Sequence, residues 1–100
     1  MRFEDHVRRA LDGLPPQIAR GLRNVAVVVE DENVEDPHLF GLWEADEYMP
    51  DKITIYRLPL VAEFGHDPAE LEREIRITVL HELAHYFGID EDRLEELGYD

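Results

Sequence analysis

The chain has 100 residues, no cysteine, and a formal net charge of −14 from 24 acidic and 10 basic residues. This length suits a single domain, which we expect to span residues 1–100. The lack of cysteine excludes a disulfide framework, a thiolate metal site and a cysteine nucleophile. The negative charge repels nucleic acid and anionic membranes, so neither is an expected partner.

No apolar run approaches the length of a membrane span, and the first residues, MRFEDHVRRALDG, lack the apolar core of a signal peptide. We therefore expect a cytoplasmic protein. The simplest explanation of the acidic surface is solubility. Mimicry of DNA and docking on a basic partner are the alternative explanations of the charge.

The first part of the chain predicts a helix followed by a strand. Apolar residues recur at helical spacing and predict an amphipathic helix over residues 3–13, ended by Gly13 and two prolines. A short helical turn is expected in QIARGL. The run from Val25 to Val29 is almost entirely β-branched and predicts a buried strand.

The middle of the chain predicts two more strands separated by loops. Residues 30–38 are acidic and contain a proline, so we expect a loop there. A short strand is expected from Phe40 to Trp43, and a second loop follows it. The run ITIYR at residues 53–57 alternates apolar and polar residues, which predicts a strand with one buried face. Pro59 is expected to end it, with residues 60–66 as a connection.

A long helix with a clear start is predicted next. Asp67 is a good N-cap residue and Pro68 suits the first helical position. An apolar ridge at i, i+4 spacing then runs to Phe87, and Gly88 is expected to stop the helix. A second short helix is expected over residues 90–97. The order of elements predicts an α+β fold, with a small sheet packed against helices.

The motif HELAH at residues 81–85 lies late in the long predicted helix. His81 and His85 are one turn apart, about 40° around the axis, on the side opposite the apolar ridge. Two imidazoles placed in this way can bind one zinc ion at about 2.0–2.1 Å. Glu82 can hold a water on the metal and take its proton, as in HExxH peptidases.

Composition alone would produce an HExxH motif in this chain with a probability of about 0.03, if residues were placed at random. The motif also lies in a strongly capped helix and is followed by a glycine, which favours zinc chemistry. The alternative is a pair of solvated histidines on an acidic helix.

Read with its flanks, HELAHYFGIDEDRLEELGY resembles the signature of the small zincin-like metallopeptidases of bacteria, which have a minimal zincin fold and an HExxHxxGxxD pattern. The segments FGLWEADEYMPDKITIYR and NVAVVVED are also similar to this family. The resemblance runs from about residue 13 to the end of the chain, and the histidine motif is its specific part.

This resemblance implies that His81 and His85 bind zinc and that Glu82 is the catalytic base. The family pattern places an aspartate three residues after the glycine, where this chain has Glu91. Glu91 is therefore the implied third ligand, and Asp90 and Asp92 are alternatives. By analogy with zincins, an edge strand at residues 40–43 or 53–57 is expected to bind an extended peptide through its backbone. The clean alternation of ITIYR favours a buried core strand over an edge strand.

The implied function is hydrolysis of short or flexible peptide or protein substrates by a zinc-activated water. Two other functions stay open: a metal-binding protein without activity, and an acidic interaction module without metal. His6, His38 and His66 are expected to be isolated surface residues. Tyr48 and Tyr86 are candidates to approach the cleft, where a tyrosine can stabilise an oxyanion.

Overall fold

The computed structural model describes residues 2–87 and 91–96, with the backbone alone at residues 87, 91, 93 and 94. It has the predicted α+β architecture, a three-stranded mixed sheet with helices packed on it. In chain order the elements are α1 (Phe3–Asp12), α2 (Pro16–Gly21), β1 (Val25–Glu30), β2 (Gly41–Glu44), β3 (Asp51–Tyr56), α3 (Arg57–Phe64), α4 (Pro68–Phe87) and α5 (Glu91–Glu96).

The sheet has the strand order β1-β3-β2, so the last strand in the chain lies at its centre. Strand β1 runs parallel to β3, with Val27 opposite Ile53. Strand β2 runs antiparallel to β3, with Trp43 opposite the same residue. Within the described part of the chain, β1 and β2 therefore each have one unpaired edge.

This strand order corrects two expectations about burial. The prediction of one buried face for ITIYR is wrong, because Ile53 to Tyr56 are all buried in the central strand. Neighbours on both sides and packing on both faces remove the exposed face that the alternation suggested. The prediction of a fully buried β1 is also wrong, because its edge position leaves it partly exposed.

The predicted connection over residues 60–66 is also wrong, because the chain enters α3 directly from β3. Pro59 is the third residue of this helix, where its missing N–H costs no helical hydrogen bond. The start of α3 is held by the loop after β1. The Asp31 carbonyl accepts the Leu58 N–H at 2.9 Å, and its carboxylate binds the Arg57 guanidinium.

Helix α4 forms where its start signals predict. The Asp67 carboxylate accepts the N–H of Ala69 at 3.0 Å, so it caps the helix as expected. Within the described side chains the apolar ridge of α4 faces the core, since Leu71 and Leu83 are buried and Ile75 and Val79 are fully buried. Burial of side chains of this size contributes about 1.5–3 kcal/mol each. Gly88, the predicted stop, lies outside the described residues.

Candidate active site

Helix α4 holds the HExxH motif on the border between the core and solvent. Leu83 and Ala84 are buried against the sheet and the other helices. His81 and Glu82 are half-buried, and His85 is exposed. The histidines therefore lie away from the core, as the helical pattern predicts.

The carboxylate of Glu82 lies at the unpaired edge of β2. Its Oε2 atom accepts the Trp43 backbone N–H at 3.2 Å. The Phe40 carbonyl accepts the Tyr56 N–H at 2.9 Å, so Phe40 faces β3. Because backbone groups alternate in direction along a strand, those of Gly41 and Trp43 point away from β3. Glu82 thus contacts the outer side of the edge strand.

This position raises the pKa of Glu82 above its ordinary value, mainly because burial disfavours the charged carboxylate. The Trp43 N–H and the two imidazoles of His85 and His81 act in the opposite direction and lower this pKa. Both imidazoles therefore lie close enough to Glu82 to influence its charge.

Gly41 allows the close approach of β2 and α4. A Cβ atom on Gly41 would lie 2.5 Å from Thr78 Cγ2 and 3.3 Å from the Thr54 carbonyl oxygen. The Thr78 side chain cannot easily turn away, because its hydroxyl donates to the Glu74 carbonyl at 2.8 Å. Glycine is thus the residue that brings the edge strand within reach of Glu82.

A cleft of about 280 Å³ opens beside the motif. Helix α4 forms one wall with Thr78, His81 and Glu82, and residues 36–41 form the other. His38 is an exposed residue, as predicted, and it also lines the cleft that His81 borders. No local signal in the sequence relates these two residues, because the loop before β2 brings them together.

Hydrogen bonds give the loop before β2 a defined shape. The side-chain oxygen of Asn33 accepts the N–H groups of Glu35 and Asp36, both at 2.9 Å, and its amide donates to the Tyr56 hydroxyl. The Asp36 carboxylate then accepts the His38 N–H at 3.1 Å. These bonds anchor the wall of the cleft to the central strand.

Tyr86 stacks on Trp43, near the end of β2 that is farther from this cleft. The ring centroids are 4.2 Å apart and the rings are nearly parallel, at 16°. A hydrogen bond to Asp51, together with the negative charge of that residue, raises the pKa of Tyr86. The Tyr86 hydroxyl is therefore engaged by Asp51, and its ring joins α4 to the edge strand.

Comparison with known proteins agrees with this geometry. A family model described as zincin-like metallopeptidase matches residues 22–99, which include the edge strand, the cleft and the motif. The chain belongs to this family. No curated protein that was compared with the chain matches it.

The third metal ligand that the family pattern implies remains a prediction. Among the side chains that the structure describes, no group of three or more His, Cys, Asp or Glu is arranged to hold a metal ion. The Glu91 side chain and all of Asp90 lie outside the described residues. Asp92, the other alternative, is exposed on α5.

Two further histidines lie away from the motif. The prediction that His6 is a surface residue is wrong, because it is buried and its Nδ1 lies 2.6 Å from a Glu72 carboxylate oxygen. His66 is exposed near Glu70, at 3.4 Å. Within residues 2–87 and 91–96, every helix is too short or too polar to cross a membrane.

Proposed function

We propose that this chain is a zinc-dependent peptidase in which His81 and His85 bind the metal and Glu82 is the general base. One observation carries the proposal. Helix α4 places His81 and Glu82 in the wall of a cleft and leaves His85 exposed one turn further along, and the Glu82 carboxylate touches the unpaired edge of β2. Glu91 is the proposed third ligand, from the family pattern.

The residues that the structure describes suit zinc in their chemistry. Two imidazoles one helical turn apart are common zinc ligands, and a catalytic site needs a third protein ligand and an open position. Bound zinc supplies a lowered pKa for a water and polarisation of the carbonyl under attack. His85 is exposed and His81 borders the cleft, so both are accessible to an ion from solvent.

The surroundings of Glu82 support its role as base. One carboxylate oxygen is held by the Trp43 N–H, and no hydrogen bond to the other is found among the described residues. That second oxygen is available to take a proton from the attacking water. Because burial raises the pKa of Glu82, its carboxylate holds a proton more readily than an exposed glutamate.

Of the two strands considered for substrate binding, β2 is the one that can accept a peptide. Strand β3 is paired on both sides, so its backbone is already used. The Gly41 backbone groups, which border the cleft, and the outward Trp43 carbonyl can bond an extended peptide, as in other examples of strand addition. A peptide in this position would pass the Glu82 carboxylate.

The first experiment is zinc titration by calorimetry on metal-stripped protein. We expect one zinc per chain for wild type, no binding for His81→Ala, and unchanged binding for His66→Ala, an exposed histidine outside the motif. Equal binding by wild type and His81→Ala would contradict the metal site. The chain would then fit the acidic interaction module better.

The second experiment measures cleavage of a peptide library by the zinc-loaded protein. We expect turnover by wild type and its loss in Glu82→Gln, which keeps an acceptor for the Trp43 N–H but cannot take a proton. Zinc binding by Glu82→Gln, measured in parallel, separates loss of the base from loss of the metal. Zinc binding without turnover by wild type would identify a metal-binding protein without activity.

A further inference from the structure

The segment around the edge strand has an extreme charge distribution. Residues 30–51 contain nine aspartate or glutamate residues and no lysine or arginine. This segment includes the loop before β2, the strand itself and the loop after it. Much of the net charge of −14 is therefore concentrated on one part of the fold.

Few of these charges are neutralised within the protein. In the described part of the chain, Asp31 binds Arg57 at 2.9 Å and Glu44 lies 3.8 Å from Lys52. No lysine or arginine forms an ion pair with the other seven acids of the segment in that part of the chain. The self-repulsion of such a segment favours a ligand that brings positive charge.

The two acidic loops lie at the two ends of β2. Residues 31–40 lead into the strand and residues 45–50 leave it. Four strand residues span about 13 Å, and the screening length at physiological salt is about 8 Å. A peptide lying along β2 would therefore remain within the field of at least one loop over its whole length.

Each end of the strand also offers a specific contact for a cation. At its start, Asp36 lies in the wall of the cleft beside His81. Near its end, the Tyr86 ring is 52% exposed and stacked on Trp43, which gives an aromatic surface for a lysine or arginine. An acidic group and an aromatic group thus lie near the two ends of β2.

We propose that the occupant of this groove is an extended peptide that carries lysine or arginine side chains, and that Asp36 selects a basic side chain in the cleft. This inference rests on the proposed function, whose substrate class it names. The recognition combines backbone bonds to β2, which any sequence can make, with charge complementarity, which selects among sequences.

The test measures binding of short fluorescein-labelled peptides to the zinc-loaded Glu82→Gln protein by fluorescence anisotropy, so that the probe is not cut. Three matched peptides alternate alanine with lysine, with glutamine or with glutamate. We expect the lysine peptide to bind at least about tenfold more tightly than the glutamine peptide at low salt, and less so at high salt.

Asp36→Asn is the decisive variant, because asparagine keeps an acceptor for the His38 N–H and removes only the charge. Its control is Glu63→Gln, which removes one charge from an exposed position on α3. We expect Asp36→Asn to weaken lysine-peptide binding about three- to tenfold and Glu63→Gln to change it less than about twofold.

Equal binding of the three peptides would overturn the proposal. Equal weakening by Asp36→Asn and Glu63→Gln would also overturn it, since the attraction would then be general. Wild-type cleavage of library peptides without preference for lysine or arginine would support the peptidase function and contradict the specificity for basic peptides. Selective binding that depends on Asp36, with no cleavage by wild type, would establish the groove and contradict the peptidase.

Discussion

Gly41→Ala tests whether the close contact between β2 and α4 shapes the site. The added methyl group would lie 2.5 Å from Thr78 Cγ2, a distance that no packed structure tolerates. The Thr78 side chain is stiff because it is β-branched and its hydroxyl is bonded to Glu74. We therefore expect β2 and α4 to separate by a few tenths of an ångström.

The expected cost follows from two opposing effects. Inserting a methyl group into a packed contact typically costs about 1–3 kcal/mol. Replacing glycine by alanine within a strand typically gains about 0.5–1 kcal/mol. The net loss in free energy of unfolding should then be ~0.5–2 kcal/mol. Each kcal/mol changes Tm by about 4–8 °C in a domain of this size, so the midpoint should fall by several degrees.

The assay is thermal and urea unfolding of metal-stripped protein, followed by circular dichroism, for a double-mutant cycle with Thr78→Ser. Serine removes Cγ2 and keeps the hydroxyl that bonds Glu74. Thr78→Ser alone should cost ~0.8 kcal/mol for the lost methyl group. In the double variant the alanine methyl occupies the vacated space, so stability should exceed the additive expectation by about 1 kcal/mol.

The sign of the stability change in Gly41→Ala tests the packing explanation. If Gly41→Ala is as stable as wild type or more so, the strand can accept a side chain there and the close approach does not require glycine. If the two changes are additive, the cost of Gly41→Ala does not come from Thr78. Either result would refute the packing explanation.

Three further predictions concern other parts of the fold. In chelator-treated protein, Glu82→Gln should raise Tm at neutral pH, because the folded-state pKa of Glu82 is raised and its charged form therefore costs stability as pH rises through that pKa. The gain in Tm should vanish below the ordinary pKa of 4.5. A gain that is independent of pH would contradict this prediction. The Glu72 carboxylate is only 15% exposed, and His6→Leu removes its partner. This change should lower the free energy of unfolding in urea by ~1–3 kcal/mol, and adding Glu72→Met in the same chain should largely restore it. Tyr86→Ala should lower the free energy of unfolding by ~0.5–1.5 kcal/mol because it removes the stack on Trp43, whereas Tyr86→Phe should keep the stack. Equal losses of stability in both variants would contradict this explanation.

The elements that were predicted well are those whose sequence signals lie within a short window of residues. Helix α4 begins at Pro68 because Asp67 caps it, and its ridge repeats over five turns, so a short window of sequence is sufficient. Helix α1 and the short strand β2 were also predicted to within one or two residues. The HExxH motif was found for the same reason, because one turn of helix holds all of it.

Helix α3 was missed because its start depends on a distant residue. Residues 57–64 contain a proline, which favours an interruption when the sequence is read locally. In the fold, Asp31 accepts the Leu58 N–H and binds Arg57, so a loop that precedes β2 completes the first turn. Nothing in the spacing of these residues indicates that contact.

The burial of the strands could not be predicted because it depends on strand order. Val25 to Val29 are more apolar than Ile53 to Tyr56, which suggested that β1 was the buried strand. The fold places β3 between the other two strands, so burial follows position in the sheet rather than apolar content. His38 was missed for a related reason, because only the folded loop brings it to the cleft.

The edge strand explains how so short a chain can build a site. Partial burial is one way to raise the pKa of a carboxylate, and Glu82, the proposed base, is partly buried where it contacts the outer side of β2. The same contact limits how a peptide can bind. Because the Trp43 N–H is bonded to Glu82, a peptide bound as proposed would have to use the Gly41 backbone groups and the Trp43 carbonyl. In the proposed function, the strand would thus position Glu82 with one backbone group and leave the others for the substrate.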